Sequence, residues 1–159
     1  MSGDNGIVTI TYGAGTTSSQ AVNWAKFNTG SGTIDSANPG TGACSGWCTT
    51  SVYNLPSARS NFSLIAYNGF LYAMGGVDAR GNRASTVYIA KLGANREPQL
   101  WHPSNSDKST WVYWYTDAGL SSTRSSFSAV AYNNRMYVVG GLTGAGAGTP
   151  VSSVQIATI

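Results

Sequence analysis

Charge is scarce in this sequence. Asp, Glu, Lys and Arg make up 9% of its 159 residues, against about 25% in soluble domains generally. Nine basic and six acidic residues leave a net charge of +3. The basic ones are scattered as Lys26, Arg59, Arg80, Arg83, Lys91, Arg96, Lys108, Arg124 and Arg135, with no Lys/Arg-rich run. A nucleic-acid footprint needs a concentrated basic face, so no nucleic-acid partner is expected. Long apolar runs are missing too. Nothing approaches the roughly 20 apolar residues of a membrane-spanning helix, and no membrane span is expected. The start, MSGDNG, lacks the basic and apolar regions of a signal peptide. Residues 1–6 are read as leader residues ahead of the folded chain.

Histidine occurs once, as His102 in LWHPS. A nucleophilic triad would have to use it, and a lone loop His beside Pro more often is simply exposed. The chain has no G-x-S-x-G, no H-E-x-x-H and no P-loop. The acidic residues are Asp4, Asp35, Asp78, Glu97, Asp107 and Asp117. Glycoside hydrolysis needs two carboxylates facing each other across a sugar, and the spacing singles out no pair. No catalytic residue, metal site or cofactor is therefore expected. Cysteine occurs twice, as Cys44 and Cys48 in GACSGWCTT. The C-x3-C pair fits a local disulfide that pins a loop in an oxidising compartment, and it also fits two unreactive thiols. Redox motifs favour C-x-x-C, and zinc would need two further ligands.

What the chain does have is hydrophobic residues at 42%, aromatics at 11% and an internal repeat. A packed core is possible at that composition. Residues 55–76 read LPSARSNFSLIAYNGFLYAMGG, and residues 120–141 read LSSTRSSFSAVAYNNRMYVVGG. The copies lie 65 positions apart without a gap, matching Arg59 to Arg124, Tyr67 to Tyr132, Tyr72 to Tyr137, and Gly75-Gly76 to Gly140-Gly141. A period of this size marks one supersecondary unit used more than once, which cannot bury its apolar face alone.

Each unit reads as four strands, a to d, with period-two alternation bounded by Gly, Asn or Asp. Strand a is Phe62–Tyr67. Asn68-Gly69 is a two-residue hairpin turn favoured because both positions tolerate positive φ. Phe70–Met74 is strand b, Gly75-Gly76 ends it, and Thr86–Leu92 is strand c. Trp111–Tyr115 is strand d, with Trp111, Tyr113 and Tyr115 on one face and Val112 and Trp114 on the other. Its earlier counterpart is Trp47–Tyr53, and Ile7–Gly13 fills the place of strand b in the first unit. The c–d loops near residues 28–46 and 93–110 are long, and loops of that length commonly pack or bind something.

The Arg59…Tyr67-Asn68-Gly69…Tyr72…Gly75-Gly76…Val87-Tyr88…Trp111 pattern, repeated from Arg124, resembles the kelch repeat. That resemblance implies an all-β fold of four-stranded antiparallel β-propeller blades. The chain would supply about 2.5 of them, fewer than the roughly four of a closed propeller. The expected organisation is a partial blade at 7–54 (strands b-c-d), a complete blade at 55–119 and a partial blade at 120–159 (strands a-b-c).

The resemblance further implies structural roles for Arg59, Tyr67, Tyr72, Gly75, Gly76, Arg124, Tyr132, Tyr137, Gly140 and Gly141. The two arginines are expected to hydrogen-bond to a neighbouring blade. Galactose-oxidase-type enzymes share the fold, but one His cannot supply their usual imidazole pair for copper. Ser104–Trp111 is a degenerate likeness of the Asp-box turn of sialidases. The expected function is a non-catalytic scaffold or protein-interaction module of an exported surface protein, extracellular or at the cell surface. The alternative is a carbohydrate-binding or carbohydrate-active propeller domain whose site is completed elsewhere. Contact candidates are Trp101, His102 and Trp111, in and beside a long loop where the copies differ. Open blade edges invite pairing, so other blades are expected partners, from a longer polypeptide or from copies of the chain in a ring or filament, with a glycan or protein as ligand.

Overall fold

The computed structural model describes residues 53–93, 98–103 and 111–159, and before them the backbone of four two-residue strands. In chain order the strands are β1 (Asn23–Trp24), β2 (Phe27–Asn28), β3 (Thr33–Ile34), β4 (Cys48–Thr49), β5 (Ser63–Tyr67), β6 (Phe70–Met74), β7 (Val87–Lys91), β8 (Tyr115–Asp117), β9 (Ser128–Tyr132), β10 (Arg135–Val139), β11 (Leu142–Thr143), β12 (Thr149–Pro150) and β13 (Val154–Thr158). All the ladders are antiparallel, and no α-helix occurs among the described residues. The protein is all-β. One blade is complete, in the order β5-β6-β7-β8, and the next has three strands, in the order β13-β10-β9.

The turn residues set the hairpins. Asn68 and Gly69 have φ of 48° and 78°, and Asn133 and Asn134 have 48° and 57°. Positive φ at both central residues gives the turn the twist that two antiparallel strands need. The ladders then repeat in register: Leu71 faces Ala90 in the first blade, and Met136 faces Ala157 in the second.

Strand d departs from the sequence reading. Trp111–Tyr115 was expected to be extended, but the strand is Tyr115–Asp117, and Tyr113 and Trp114 form a bend. The expected two-faced alternation fails there. Tyr113 and Trp114 join the same apolar cluster, while Trp111 is 61% exposed. The cause is a distant partner: the Trp114 Nε1–H donates to the Tyr53 carbonyl at 2.9 Å, which turns the chain before it enters the sheet.

The ladder also moves the counterpart of strand d. Trp24 faces Cys48 as Ile89 faces Tyr115. Cys48 therefore stands in the place of Tyr115, rather than Trp47 in the place of Trp111. The expected strand Ile7–Gly13 and residues 1–6 lie outside the described residues.

Alternation along β6 builds two cores. Leu71 and Ala73 point into a cluster with Leu55, Phe62, Tyr88, Ala90, Trp114 and Tyr53. Tyr72 and Met74 point the other way, into a cluster with Val87, Met136 and Val138 that joins the two blades. Both faces of the strand are covered, as in a strand buried between layers.

The blades meet along a backbone seam. Gly76 N–H donates to Arg124 C=O at 2.8 Å, Arg124 N–H to Ala84 C=O at 3.0 Å, Ser126 N–H to Asn61 C=O at 2.9 Å and Leu120 N–H to Ser85 C=O at 2.7 Å. Gly76, at φ 87°, has no room for a side chain: a Cβ there would stand 2.6 Å from Ser60 O and 2.7 Å from Phe62 Cβ. Gly141 repeats this at φ 92°, with Ser125 O at 2.6 Å and Phe127 Cβ at 2.7 Å.

Gly76→Ala combines positive φ with a backbone clash, while Gly69→Ala meets only the φ penalty because nothing lies near its Cβ position. Urea unfolding should show Gly76→Ala losing more than about 2 kcal/mol and Gly69→Ala about 1 kcal/mol. Equal losses would refute the tight packing of Gly76 against Ser60 and Phe62.

Candidate functional site

The three contact candidates come together at the end of the first blade that carries its c–d loop. Leu92 bridges Pro98, and Trp101 bridges Val112; Trp101 N–H donates to Val112 C=O at 3.0 Å and Val112 N–H donates back at 3.1 Å. This closes the base of the loop. The Trp101 ring packs edge-on against Phe70 at 5.4 Å and Tyr115 at 6.3 Å between centroids. The His102 ring lies 4.0 Å from the Trp111 ring, tilted by 54°.

Trp101 thus anchors the cluster, and His102 and Trp111 form its rim. Trp101 Nε1 and His102 Nδ1 are buried without a hydrogen-bond partner, an arrangement that costs free energy unless something completes it. The rim offers an aromatic face, with the two unpaired nitrogens buried beneath it. No group of His, Cys, Asp and Glu suited to a metal occurs among the described residues. Residues 104–110, with the Asp-box likeness, lie outside the described residues, as does Cys44. Of Cys48 only the backbone pairing with Trp24 is described.

The repeated residues are used inside the sheets. Arg124 is 3% exposed. Its Nη1 donates to the carbonyls of Gly140 at 2.8 Å and Ser153 at 3.1 Å, and its Nη2 to Ser153 Oγ at 2.9 Å and Ser122 Oγ at 3.4 Å. Arg59 Nη2 reaches Tyr88 Oη at 3.4 Å and Thr86 Oγ1 at 3.5 Å, and its guanidinium carbon lies 5.8 Å from the Tyr88 ring centroid. These bonds differ from the expected ones to a neighbouring blade. Each guanidinium ties together strands and loops of its own blade, and Arg124 reaches the neighbour through its backbone. Tyr67 spans the blades: its hydroxyl donates to Asn134 Oδ1 at 3.1 Å and accepts from Asn134 N–H at 3.0 Å. Tyr72 is buried at the joint, and burial raises its phenol pKa, with a smaller push from Tyr67. In the second blade Tyr132 is exposed and Tyr137 half-buried.

Sequence reasoning missed Arg83, which clamps the blades. Its Nε donates to Ser125 Oγ at 2.9 Å, its Nη1 to the carbonyls of Gly144 at 2.8 Å and Gly146 at 3.1 Å, and its Nη2 to that of Ala147 at 3.0 Å. Asp78 shapes the loop that carries it, accepting from the N–H groups of Asn82 at 2.8 Å and Arg80 at 2.9 Å. The bond from Asn82 is the main cause holding the Asp78 carboxyl below its ordinary pKa. The one available signal was the alternation Gly144-Ala145-Gly146-Ala147-Gly148. Its glycines all take positive φ, and Gly148 lies directly against the Arg83 guanidinium.

Residues 123–156, covering the second hairpin and its return strand, match the family model of the Kelch motif. That stretch of the second blade carries a kelch motif. No curated protein matches its sequence. The matched stretch begins just before Arg124 and includes Gly140-Gly141, whose counterparts in the first blade hold the same positions. A kelch motif supports a propeller module that works through protein interaction.

Arg83→Ala should speed amide exchange of residues 144–148 and lower stability by about 1.5–3 kcal/mol, the range for hydrogen bonds to a charged group. Arg80→Ala, at an exposed position in the same loop, should do neither. Unchanged exchange in the Arg83 variant would refute the clamp.

Proposed function

We propose that this kelch-repeat chain is a non-catalytic scaffold and protein-interaction module of an exported surface protein, and that it holds its ligand at the Trp101–His102–Trp111 rim. The observation that carries this reading is the exposed Trp111 indole packed against the His102 ring, beside two buried nitrogens that have no partner. Exposed aromatics over a rigid base are common anchors of protein interfaces. The low charge and the Cys44–Cys48 pair support an exported setting, where a disulfide would persist. Finding reactive thiols in the unfolded, unreduced native protein would count against that setting.

Further blades are the second kind of partner. The outer face of the second blade exposes Val130, Tyr132, Val139, Val154 and Ile156. The equivalent first-blade residues Ile65, Tyr67, Met74, Val87 and Ile89 pack at the joint with the second blade. Met74 is 1% exposed and Val139 45%. Another kelch blade, from a longer polypeptide or a copy of the chain, would cover this face. Light scattering that finds only a soluble monomer at high concentration would remove the copy.

The rim is tested with a displayed random-peptide library and a glycan array, each probed with the wild-type chain and Trp111→Ala. Peptides whose binding falls at least about tenfold in the variant support the protein-ligand reading. Sugars with the same dependence replace it with the carbohydrate-binding alternative, and binding indifferent to Trp111 in both formats sinks the site.

A further inference from the structure

The repeat sets an arginine at the same point of both blades, and the two guanidiniums are satisfied unequally. Arg124 Nη1 donates to the carbonyls of Gly140 and Ser153, and its Nη2 to the hydroxyls of Ser153 and Ser122. The matching groups of the first blade are the carbonyls of Gly75 and Thr86 and the hydroxyls of Thr86 and Ser57. Arg59 takes neither carbonyl. Among the described residues its bonds are two long ones from Nη2, to Tyr88 Oη at 3.4 Å and Thr86 Oγ1 at 3.5 Å. The Nε of both arginines is buried without a partner, so the difference between them lies at Nη1.

One substitution between the copies accounts for it. Gln155 in the second blade accepts from Ser121 N–H at 2.8 Å and donates to Ser122 Oγ at 3.1 Å. Tyr88 stands at the same position of the first blade. Its hydroxyl pairs with Ser57 Oγ at 2.9 Å, and its ring centroid lies 5.8 Å from the Arg59 guanidinium carbon. Ring and hydroxyl draw the guanidinium off the carbonyls. A neighbouring blade does not supply the missing bonds in this repeat. Arg124 has the first blade hydrogen-bonded to its backbone, yet every bond of its guanidinium stays in its own blade.

Arg59 is thus a charge taken out of water with few partners. It is 9% exposed, and no carboxylate among the described residues pairs with it. The Asp78 carboxylate of the following loop is occupied by the N–H groups of Asn82 and Arg80. A buried charge short of hydrogen bonds costs free energy until a partner completes it. Ser57 and Thr86 are only half-buried, so the polar cluster is not sealed from solvent.

We propose that Arg59, Ser57 and Thr86 form a binding site for a carboxylate. One carboxylate oxygen accepts from Nη1 and the other from Nη2, along the outer edge of the planar guanidinium, a fork that fits two oxygens. The hydroxyls of Ser57 and Thr86 complete the shell. The site is separate from the aromatic rim. Thr86 precedes Val87, which faces Met74 at one end of β6, whereas the Trp101 ring packs on Phe70 at the other end.

The probe is sodium acetate, titrated into the full chain at constant ionic strength and followed by NMR of the arginine Nε–H signals. Arg59→Lys identifies the Arg59 signal by its loss. That signal should move saturably with acetate, while the Arg124 signal stays. Ser57→Ala, with its fold checked by circular dichroism, should weaken binding at least about threefold. Tyr88→Gln copies the second blade, returns the guanidinium to the carbonyls and should weaken binding at least about tenfold. A capped aspartate is the second probe. Saturation below the acetate midpoint places the carboxylate on a polypeptide, and saturation no lower than it assigns a free small acid; both uphold the site.

No saturation up to about 100 mM acetate would overturn the proposal, as would equal movement of the Arg59 and Arg124 signals. So would binding indifferent to both Ser57→Ala and Tyr88→Gln in folded chains. Sodium sulfate that saturates at a lower concentration than acetate would replace the carboxylate with a tetrahedral oxyanion and overturn the assignment.

Discussion

The close approach of two backbones at Gly75 and Gly76 is the constraint on which the described fold depends. A Cβ on Gly75 would stand 2.5 Å from the Arg124 carbonyl oxygen, and one on Gly76 would strike its own blade at Ser60 and Phe62. Both residues take positive φ, open to glycine at little steric cost. Once the chain turns there, Gly76 N–H meets Arg124 C=O, and the four bonds of the seam fall into line. That alignment seats Met136 and Val138 against Tyr72 and Met74. It also brings Arg83 within reach of the Gly144–Ala147 carbonyls.

The seam makes each blade dependent on a neighbour. A blade of alternating apolar residues has two faces to cover, and one sheet cannot cover both. Repeat proteins are stabilised by intrinsic unit terms and nearest-neighbour interfaces. Here the interface term is carried by backbone bonds and an apolar cluster together. Side chains that vary between units, such as Ile65 and Val130 or Phe70 and Arg135, can change without disturbing the backbone register.

The sequence made the local devices legible because each rests on a few adjacent residues. Asn68-Gly69, Asn133-Asn134 and the paired glycines declare their backbone geometry directly, and the strands beside them follow from period two. Features set by distant partners were hidden. The start of strand d was misplaced because its aromatic run looks extended, while a bond from Trp114 to Tyr53, 61 positions away, bends it. The direction of the Arg59 and Arg124 guanidiniums depends on loop and strand groups that the repeat pattern does not encode. Arg83 has no repeated counterpart, so a search for recurrence passed over it. Among the contact candidates, the nearness of Trp101, His102 and Trp111 was visible as a loop and its flank, whereas the ring contact of His102 with Trp111 required the bridge at Trp101 and Val112.

Because the repeat holds geometry nearly constant, a difference in exposure between equivalent positions reports what each blade has beside it. Met74 and Val139 share a register position on the face between blades, yet one is covered and the other is open. Ala90 and Ala157 share a position near the sheet edge, again one covered and one open. The two differences have separate causes, since the first follows from the neighbouring blade and the second from a fourth strand with its tryptophan. Neither involves the matched arginines and paired glycines. Those residues serve their own blade and its seam. What distinguishes the two blades therefore lies at the positions where equivalent units stop being equivalent, as Met74 and Val139 or Ala90 and Ala157 do.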